Sequence, residues 1–232
     1  MAYKDNSTSH RTEDYDLQII DTVPYYESFH TESVKLIKTI LEELEFWLDT
    51  GCGTGTLVQK AFDEFENTNF ILADPSLEML ELARLKLSKL PSKRLKFLEP
   101  SKTKDISLNA NSKLDLITAI QAHHYMSMEE RIESTTLCNK LLKDNGVYIT
   151  FENVRPSTEE GIEIAKQYWK NFQISRGRDE KTVEMHLKRF DVEYFPIKID
   201  EHISLLEKTG FRVVELFWMS YMQAGFYCIK LA

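Results

Sequence analysis

The sequence predicts an α/β fold: a doubly wound seven-stranded sheet, mostly parallel with an antiparallel C-terminal strand, and a helical insertion after the fifth strand. Three observations predict it. Apolar runs of strand length alternate with helical stripes from about residue 46 to 151. The first run leads directly into the glycine loop Gly51-Cys-Gly-Thr-Gly55. Two β-rich runs close the chain with too few residues between them for a crossover helix, so they must pair antiparallel. Alternation of strand and helix implies right-handed crossovers and a parallel sheet covered on both faces.

The elements follow in order. An apolar pattern begins at Tyr15 and stops at Pro24, and Val34, Ile37, Leu41 and Leu44 then fall on one helical face, so 14–45 holds two helical segments. Phe46-Trp-Leu48 is the first strand, and Leu57, Val58, Ala61, Phe62 and Phe65 form the helix after the glycine loop. Asn69–Ala73 is a buried strand, and Ser76 is placed to cap the helix carrying Leu77, Leu80 and Ala83. Leu95–Leu98 and Leu114–Ile120 are the third and fourth strands. A helix from about Glu129 to Leu142 is expected to stop at Asp144-Asn-Gly146, before the fifth strand Val147–Phe151. Beyond Pro156 the alternation breaks. Two helical stripes, Ile162 to Phe172 and Val183 to Phe190, make an insertion over 157–190, and Ser175-Arg-Gly-Arg-Asp179 between them suits a hinge. A short helix through Ile203 and Leu206, ended by Gly210, precedes the strands Phe211–Phe217 and Phe226–Leu231.

Composition sets the broad class. With 232 residues and 42% hydrophobic content the chain builds one domain, residues 1–232, without a metal or disulfide staple. A formal charge of −8 repels phosphate backbones and anionic lipid, so neither nucleic acid nor a membrane surface is expected as partner. No apolar run reaches the roughly 18–20 residues of a spanning helix, and no secretory signal opens the chain. Three scattered cysteines offer no pairing or metal-ligand spacing, which points to a reduced, cytoplasmic protein without a metal. Residues 1–13 are polar and are expected to be a mobile arm.

The chemistry concentrates at the glycine loop. Glycines between a strand and a helix let backbone approach a ligand, and the exposed N–H groups favour a negative group nearby. A dinucleotide fingerprint needs G-x-G-x-x-G, but counting from Gly51 the sixth position is Thr56 and the third glycine comes one residue early, at Gly55. That spacing tells against a nicotinamide or flavin oxidoreductase. No Gly-Lys-Ser/Thr follows, which excludes a P-loop. Asp74 ends the second strand where doubly wound folds place a carboxylate for ribose hydroxyls. The competing reading makes it the first residue of an Asp-Pro-Ser turn.

Leu48-Asp-Thr-Gly-Cys-Gly-Thr-Gly55, Asp74-Pro-Ser-x-x-Met-Leu80, Asp115-Leu-Ile-Thr-Ala119 with His123-His124, and Leu141-Leu-Lys-Asp-Asn-Gly-Val147 together resemble class I S-adenosylmethionine-dependent methyltransferases of the small-molecule type. The resemblance runs from about Tyr15 to the C-terminus. It implies that Asp49, Cys52 and the backbone of Gly51, Gly53 and Gly55 hold the methionine part of S-adenosyl-L-methionine. It also implies that Asp74 binds the ribose, that Pro75 and Met79 flank the adenine, and that Gln121 lines the cleft near the methionyl end. The family often has Gly-Asp after its third strand; Pro100-Ser101 stands there instead, leaving Ser101 or a backbone group to meet the adenine amine. The family folds an N-terminal cap over its cofactor, which brings in Tyr15, Tyr25 and Tyr26.

Several residues carry two readings. His124, just after the fourth strand, is a candidate general base, or else a turn histidine satisfied by backbone. Tyr25 and Tyr26 either touch the acceptor or are core aromatics. Trp169 lies on the buried face of its helix, which is also positioned as a lid over the acceptor. Arg155, Arg176 and Arg178 either clamp an anionic substrate or sit solvated on the surface. Gln121-Ala-His-His-Tyr125 stands where an Asn/Asp-Pro-Pro-Tyr/Phe stretch would mark a nucleic-acid base or protein amide as substrate. The expectation is therefore methyl transfer to a small molecule, releasing S-adenosyl-L-homocysteine. The alternative from another class is a non-catalytic regulator or scaffold that keeps the pocket.

Overall fold

The computed structural model describes Thr8, His10, residues 14–109 and residues 113–231. The arm expected over 1–13 lies outside these residues except for Thr8 and His10.

Seven strands form one sheet: β1 (Phe46–Thr50), β2 (Asn69–Ala73), β3 (Leu95–Phe97), β4 (Leu114–Ile120), β5 (Leu142–Asn153), β6 (Val213–Ser220) and β7 (Gln223–Ile229). Their spatial order is β3-β2-β1-β4-β5-β7-β6. Pairing is parallel from β3 through β5, and β7 runs antiparallel to both β5 and β6. The helices are α1 (Tyr15–Thr22), α2 (Tyr26–Ile40), α3 (Thr56–Ala61), α4 (Leu77–Lys86), α5 (Met128–Leu141), α6 (Glu159–Ser175), α7 (Glu180–Leu187) and α8 (Ile199–Lys208).

Strand side chains alternate between faces, and two cores result. Trp47, Phe70, Leu72, Leu116, Ile149 and Phe151 pack with Phe29, Ile37 and Val58 on one face. Leu48, Ile71, Ala73, Ile117 and Tyr148 pack with Cys138, Leu205 and Leu206 on the other. Ser76 caps α4 as the sequence suggests, its Oγ accepting the Met79 N–H at 3.1 Å.

The C-terminal hairpin is shifted toward its turn, to Val213–Ser220 and Gln223–Ile229, and the start of β5 differs most. The stop signal at Asp144-Asn-Gly146 does not end α5 in a loop, because Leu142 already pairs with Leu114 across a bulge and the chain enters β5 without a break. Asn145, at φ 63°, takes the left-handed kink there and donates its N–H to the Lys230 carbonyl at 2.6 Å. Tertiary pairing overrides the local helix-stop signal.

The insertion has its own small core of Ile162, Trp169, Phe190, Tyr194 and Met222. It is tied to α1 by polar contacts. The Trp169 indole donates to the Thr22 carbonyl at 2.6 Å, Arg176 pairs with Asp21 at 2.8 Å, and Arg178 reaches the Thr22 hydroxyl and Gln173. The Arg-Gly-Arg break read as a hinge is therefore anchored to α1, although Gly177 does supply a positive φ of 87°. Arg155 is held by Asp191 and Glu159. Two of the three arginines are thus ion-paired, and Arg178 is held by neutral partners on α1 and α6.

Replacing Trp169 with Phe keeps the ring but strands the buried Thr22 carbonyl, at a cost of about 1–3 kcal/mol. Thermal denaturation should show the loss. Hydrogen exchange should rise in α6 and α1 ahead of the sheet, since this bond joins those two helices.

Candidate functional site

At the C-terminal ends of β1, β2 and β4, where the strand order reverses, a cavity opens in three adjoining lobes. The outer lobe, about 170 Å³, is bordered by Gly51, Gly53, Asp74, Pro75 and Met79. A lobe of about 30 Å³ lies against the glycine loop, between Asp49, Cys52, Tyr26 and His30. An inner chamber, also about 30 Å³, is walled by Ile19, Val23, Asn153, Trp169, His186 and Tyr194. Tyr15 borders all three lobes, and Gln121 and Tyr125 border the outer lobe and the chamber.

The glycines divide the work. All three have positive φ: Gly51 at 65°, Gly53 at 52° and Gly55 at 76°. A Cβ on Gly51 would sit 2.4 Å from the Ala122 Cβ, so the loops after β1 and β4 touch there. A Cβ on Gly55 would press Leu87 and Ala83 at 3.1 and 3.3 Å, while Gly53 has nothing within 4 Å. Gly51 and Gly55 thus serve packing, and Gly53 leaves its backbone open to the cavity.

Asp74 takes the turn role of its second sequence reading and adds a tie to the glycine loop. Its Oδ1 accepts the Ser76 N–H at 2.9 Å, fixing the Asp-Pro-Ser turn, and its Oδ2 accepts the Gly53 N–H at 2.9 Å, fixing the loop. Asp49 is buried at the end of β1. The Thr118 hydroxyl donates to it at 2.7 Å, and Thr118 in turn accepts the Trp47 indole N–H at 2.8 Å. Burial pushes the Asp49 pKa up to about 7, with the charge of Asp74 adding and the Thr118 bond opposing.

A lock unforeseen from the sequence holds α1 over the loop. Asp16 accepts the Thr54 hydroxyl at 2.6 Å and pairs with Lys86 at 2.6 Å, while Lys86 also donates to Thr54 and Thr56. It places Tyr15 at the junction of the lobes, where its hydroxyl lies 3.5 Å from that of Tyr26.

Three expectations are corrected. His124 lines none of the lobes: its Nδ1 lies 3.2 Å from the buried Glu152 carboxylate, and its ring packs on Tyr125 and Tyr194, which do line them. Burial lowers the His124 pKa, leaving a neutral ring that donates to the carboxylate. Burial raises Glu152, but the His124 hydrogen bond and the nearby His123 and Arg131 outweigh it and hold Glu152 at about 2. His123 is likewise spent, between Thr103 at 3.1 Å and the Tyr148 hydroxyl at 3.2 Å. Tyr25 is 62% exposed, because as the left-handed residue before α2, at φ 55°, it leans out toward Tyr221. Ser101 gives its N–H to the Asp74 carbonyl at 3.1 Å and does not border the outer lobe; Lys102 and Thr103 do. Cys52 borders the glycine-loop lobe, but burial pushes its thiol well above the ordinary range, leaving it a packed, unreactive side chain.

Sequence reasoning missed Thr103, Tyr125, His186 and Tyr194. Tyr125 adjoins the His-His pair and was within reach. Tyr194 lies in a loop with no periodic signal, and its buried hydroxyl has no hydrogen-bond partner. The Gln121 Nε2 is likewise buried without one. Among the described residues no group of His, Cys, Asp or Glu is arranged to hold a metal.

Two measurements check this geometry. Gly51→Ala should destabilise by more than the ~1–2 kcal/mol of a left-handed alanine, since its methyl also meets Ala122. Gly53→Ala should pay only that backbone strain and stay folded, with its methyl in the cavity. Denaturant melts across pH check the titrating groups. Burial lowers His30, His123 and His202 to about 3, 4 and 3. Their stabilisation is present above pH ~6.5 and is lost as pH falls toward their folded values. Asp49 has the opposite sign, its contribution being lost as pH rises from about 4 through 7. Asp49→Asn should therefore steepen the loss of stability on going from pH 7 to pH 5.

A methyltransferase-domain family model matches residues 48–148, from β1 into β5. The carboxy-S-adenosyl-L-methionine synthase of Staphylococcus epidermidis is 22% identical over 214 residues, covering 90% of this chain and 89% of its own. Among solved structures, the Synechocystis PCC 6803 magnesium protoporphyrin IX methyltransferase with bound S-adenosylhomocysteine superposes with a TM-score of 0.62 at 15% identity, over 90% of this chain and 85% of that one. A Haloferax volcanii complex between a methyltransferase and the Trm112 methyltransferase activator gives 0.67 at 14% identity, over 100% of both. Other neighbours are longer, and this chain spans 54–60% of their length. The sheet order and glycine loop, with the family model on that same stretch, make the chain similar to class I S-adenosylmethionine-dependent methyltransferases in fold and in its central motif.

Proposed function

We propose that the chain transfers a methyl group from S-adenosylmethionine to a compact small molecule held in the inner chamber. The observation that carries this reading is the set of walls that the lobes share. An outer lobe bordered by Asp74, Pro75 and Met79 and a lobe bordered by Asp49 and the glycine loop meet a separate chamber at Gln121 and Tyr15.

The residues fit the cofactor. Gly53 leaves open space beside its backbone, the Asp74 carboxylate borders the lobe where ribose hydroxyls would lie, and Met79 and Pro75 offer an apolar wall for a base. The orphaned Gln121 amide supplies a donor near the meeting point. When bound, the cofactor supplies a methyl group activated by its sulfonium. The chain's part is to align the acceptor and exclude water. Trp169, Tyr194 and Ile19 wall the chamber, and the Tyr194 hydroxyl supports an acceptor bearing an oxygen. α6 and α7, with α1, form the lid of this reading; Tyr26 belongs to the glycine-loop lobe and Tyr25 to neither. His124 orients Tyr125 and Tyr194 and is no base. The absence of an Asn/Asp-Pro-Pro-Tyr/Phe stretch after β4, together with the small chamber, favours a metabolite over a macromolecule.

The relative named as a carboxy-S-adenosyl-L-methionine synthase favours a second reading, in which the cofactor is itself the group modified in the same pocket. Mass spectrometry of cofactor incubated with the protein and a pool of small carboxylic acids separates the two: a carboxylated cofactor supports the second, S-adenosylhomocysteine with a methylated metabolite the first. Neither product would leave the regulator or scaffold.

Calorimetry should show S-adenosylmethionine and S-adenosylhomocysteine binding in preference to NAD. Asp74→Ala should weaken both by roughly ten- to a hundredfold, about 1.5–3 kcal/mol, in a folded protein. Tighter binding of NAD would overturn the reading, and unchanged affinity in the variant would make Asp74 a turn residue alone.

A further inference from the structure

We propose that the opposite end of the sheet carries a second site, for a compact polyanion of the di- or triphosphate class. There the first residues of four parallel strands, Phe46, Asn69, Leu95 and Leu114, border a recess of about 500 Å³, a volume typical of small-ligand sites. Five cations stand around it: Lys93, Arg94, Lys96, Lys113 and Lys143. Glu45 is the one acidic residue on its border among the described residues. On a chain of net charge −8 such a concentration of positive charge is out of proportion.

Three of the cations are held in place. The Arg94 guanidinium lies 3.9 Å over the Phe62 ring and donates to the Thr68 carbonyl at 2.9 Å and to the carbonyls of Phe62 and Phe65. These hydrogen-bond partners are neutral and fix the group, while the charges of Asp63 and Glu66 also act on it. Lys113 is fixed in the same way on the Lys140 carbonyl at 2.9 Å. Lys143 is paired with Asp115 at 2.8 Å, and Asp115 is itself occupied by the backbone N–H groups of Glu45 and Phe46. Lys93 and Lys96 are exposed, form no ion pair among the described residues, and stand at the mouth. Cations held by hydrogen bonds, others that are exposed, and the apolar Phe70, Ile71 and Leu108 on the same border suit a ligand with a dense charge and a less polar body.

The charge pattern also selects for compactness. With so many cations gathered in the recess, the rest of the surface is more acidic than the net charge indicates, and it repels an extended nucleic-acid strand that leaves the recess. A short polyphosphate ends before it meets that repulsion. The site is remote from the cofactor lobes, which lie at the other ends of the same strands, and the inference does not depend on the methyl-transfer reading.

The test uses the full chain with S-adenosylhomocysteine at saturation, so that an adenosine-bearing probe cannot report the cofactor lobe. Pyrophosphate, ATP and a short oligouridylate are titrated at low and moderate salt. Pyrophosphate and ATP should bind saturably and compete, and Lys93→Glu/Lys96→Glu should weaken both by about tenfold or more. The milder Lys96→Gln should give a smaller loss. S-adenosylhomocysteine affinity should be unchanged in both variants, which reports that they are folded. No saturable binding of pyrophosphate, or equal binding by the double variant, would overturn the proposal. Binding of the oligouridylate without pyrophosphate would overturn it in favour of a nucleic-acid surface.

Discussion

The structure turns on one close approach. The loop leaving β1 and the loop leaving β4 diverge where the strand order reverses, yet at their base the Gly51 backbone lies so near Ala122 that a methyl group would stand 2.4 Å from the Ala122 Cβ. That contact closes the floor of the crevice and leaves its mouth open. Gly53 rises beside the opening, and the Asp74 carboxylate ties it down from β2 through the Gly53 N–H. The three lobes meet around this floor. Gly55 then lets α3 start against α4, with Leu87 and Ala83 filling the space a side chain would take. Any larger residue at Gly51 pushes apart the two loops that define the site.

A second tier of contacts converts an open crevice into a walled one. Asp16 on α1 gathers the Thr54 hydroxyl and the Lys86 ammonium, so the N-terminal helix is pinned to the loop by charge-assisted bonds. From α1 the anchoring passes to the insertion, through the Trp169 indole, Arg176 and Arg178. On the other side the chain after Phe190 is held to the turn following β4, where Phe195 donates to the His124 carbonyl at 2.7 Å and Arg131 donates to the Phe195 carbonyl at 2.8 Å. The buried Glu152 and His124 complete that side. The insertion, α1 and the strand ends are thus one connected set of polar contacts around an aromatic chamber.

What the sequence made legible follows from what depends on local pattern. Strand and helix alternation, the Ser76 cap, the antiparallel hairpin and the glycine spacing all rest on residues within a few positions of one another, and the structure has each of them. The failures share a cause as well. His123 and His124 are adjacent to the cleft in sequence, but partners from β5 decide where their rings go, Tyr148 for one and Glu152 for the other. Tyr25 and Tyr26 are neighbours of identical type, and only the left-handed turn at Tyr25 separates the exposed ring from the one on the glycine-loop lobe. Ser101 and Thr103 differ by two residues, and the pairing of the Ser101 N–H with the Asp74 carbonyl determines which borders the cavity. Tyr194 gave no sign at all, since a loop residue has no period to betray its direction.

The division of the core into clusters bears on how this chain relates to its relatives. The two large clusters belong to the sheet and the helices that cover it, and the third belongs to the insertion and the β6–β7 turn. The methyltransferase-domain match, residues 48–148, contains Asp49, the three glycines, Asp74 and Gln121. It contains none of Ile19, Trp169, His186 or Tyr194, which wall the inner chamber. Glycine geometry and a strand-end carboxylate are demanding constraints on a cofactor lobe, so that lobe is the shared part. The chamber is built on a separate small core whose side chains change without disturbing the sheet. On the proposed reading, selection for a different acceptor has its material in the insertion and α1, in Trp169, His186, Tyr194 and Ile19, rather than in the stretch that the methyltransferase-domain model matches.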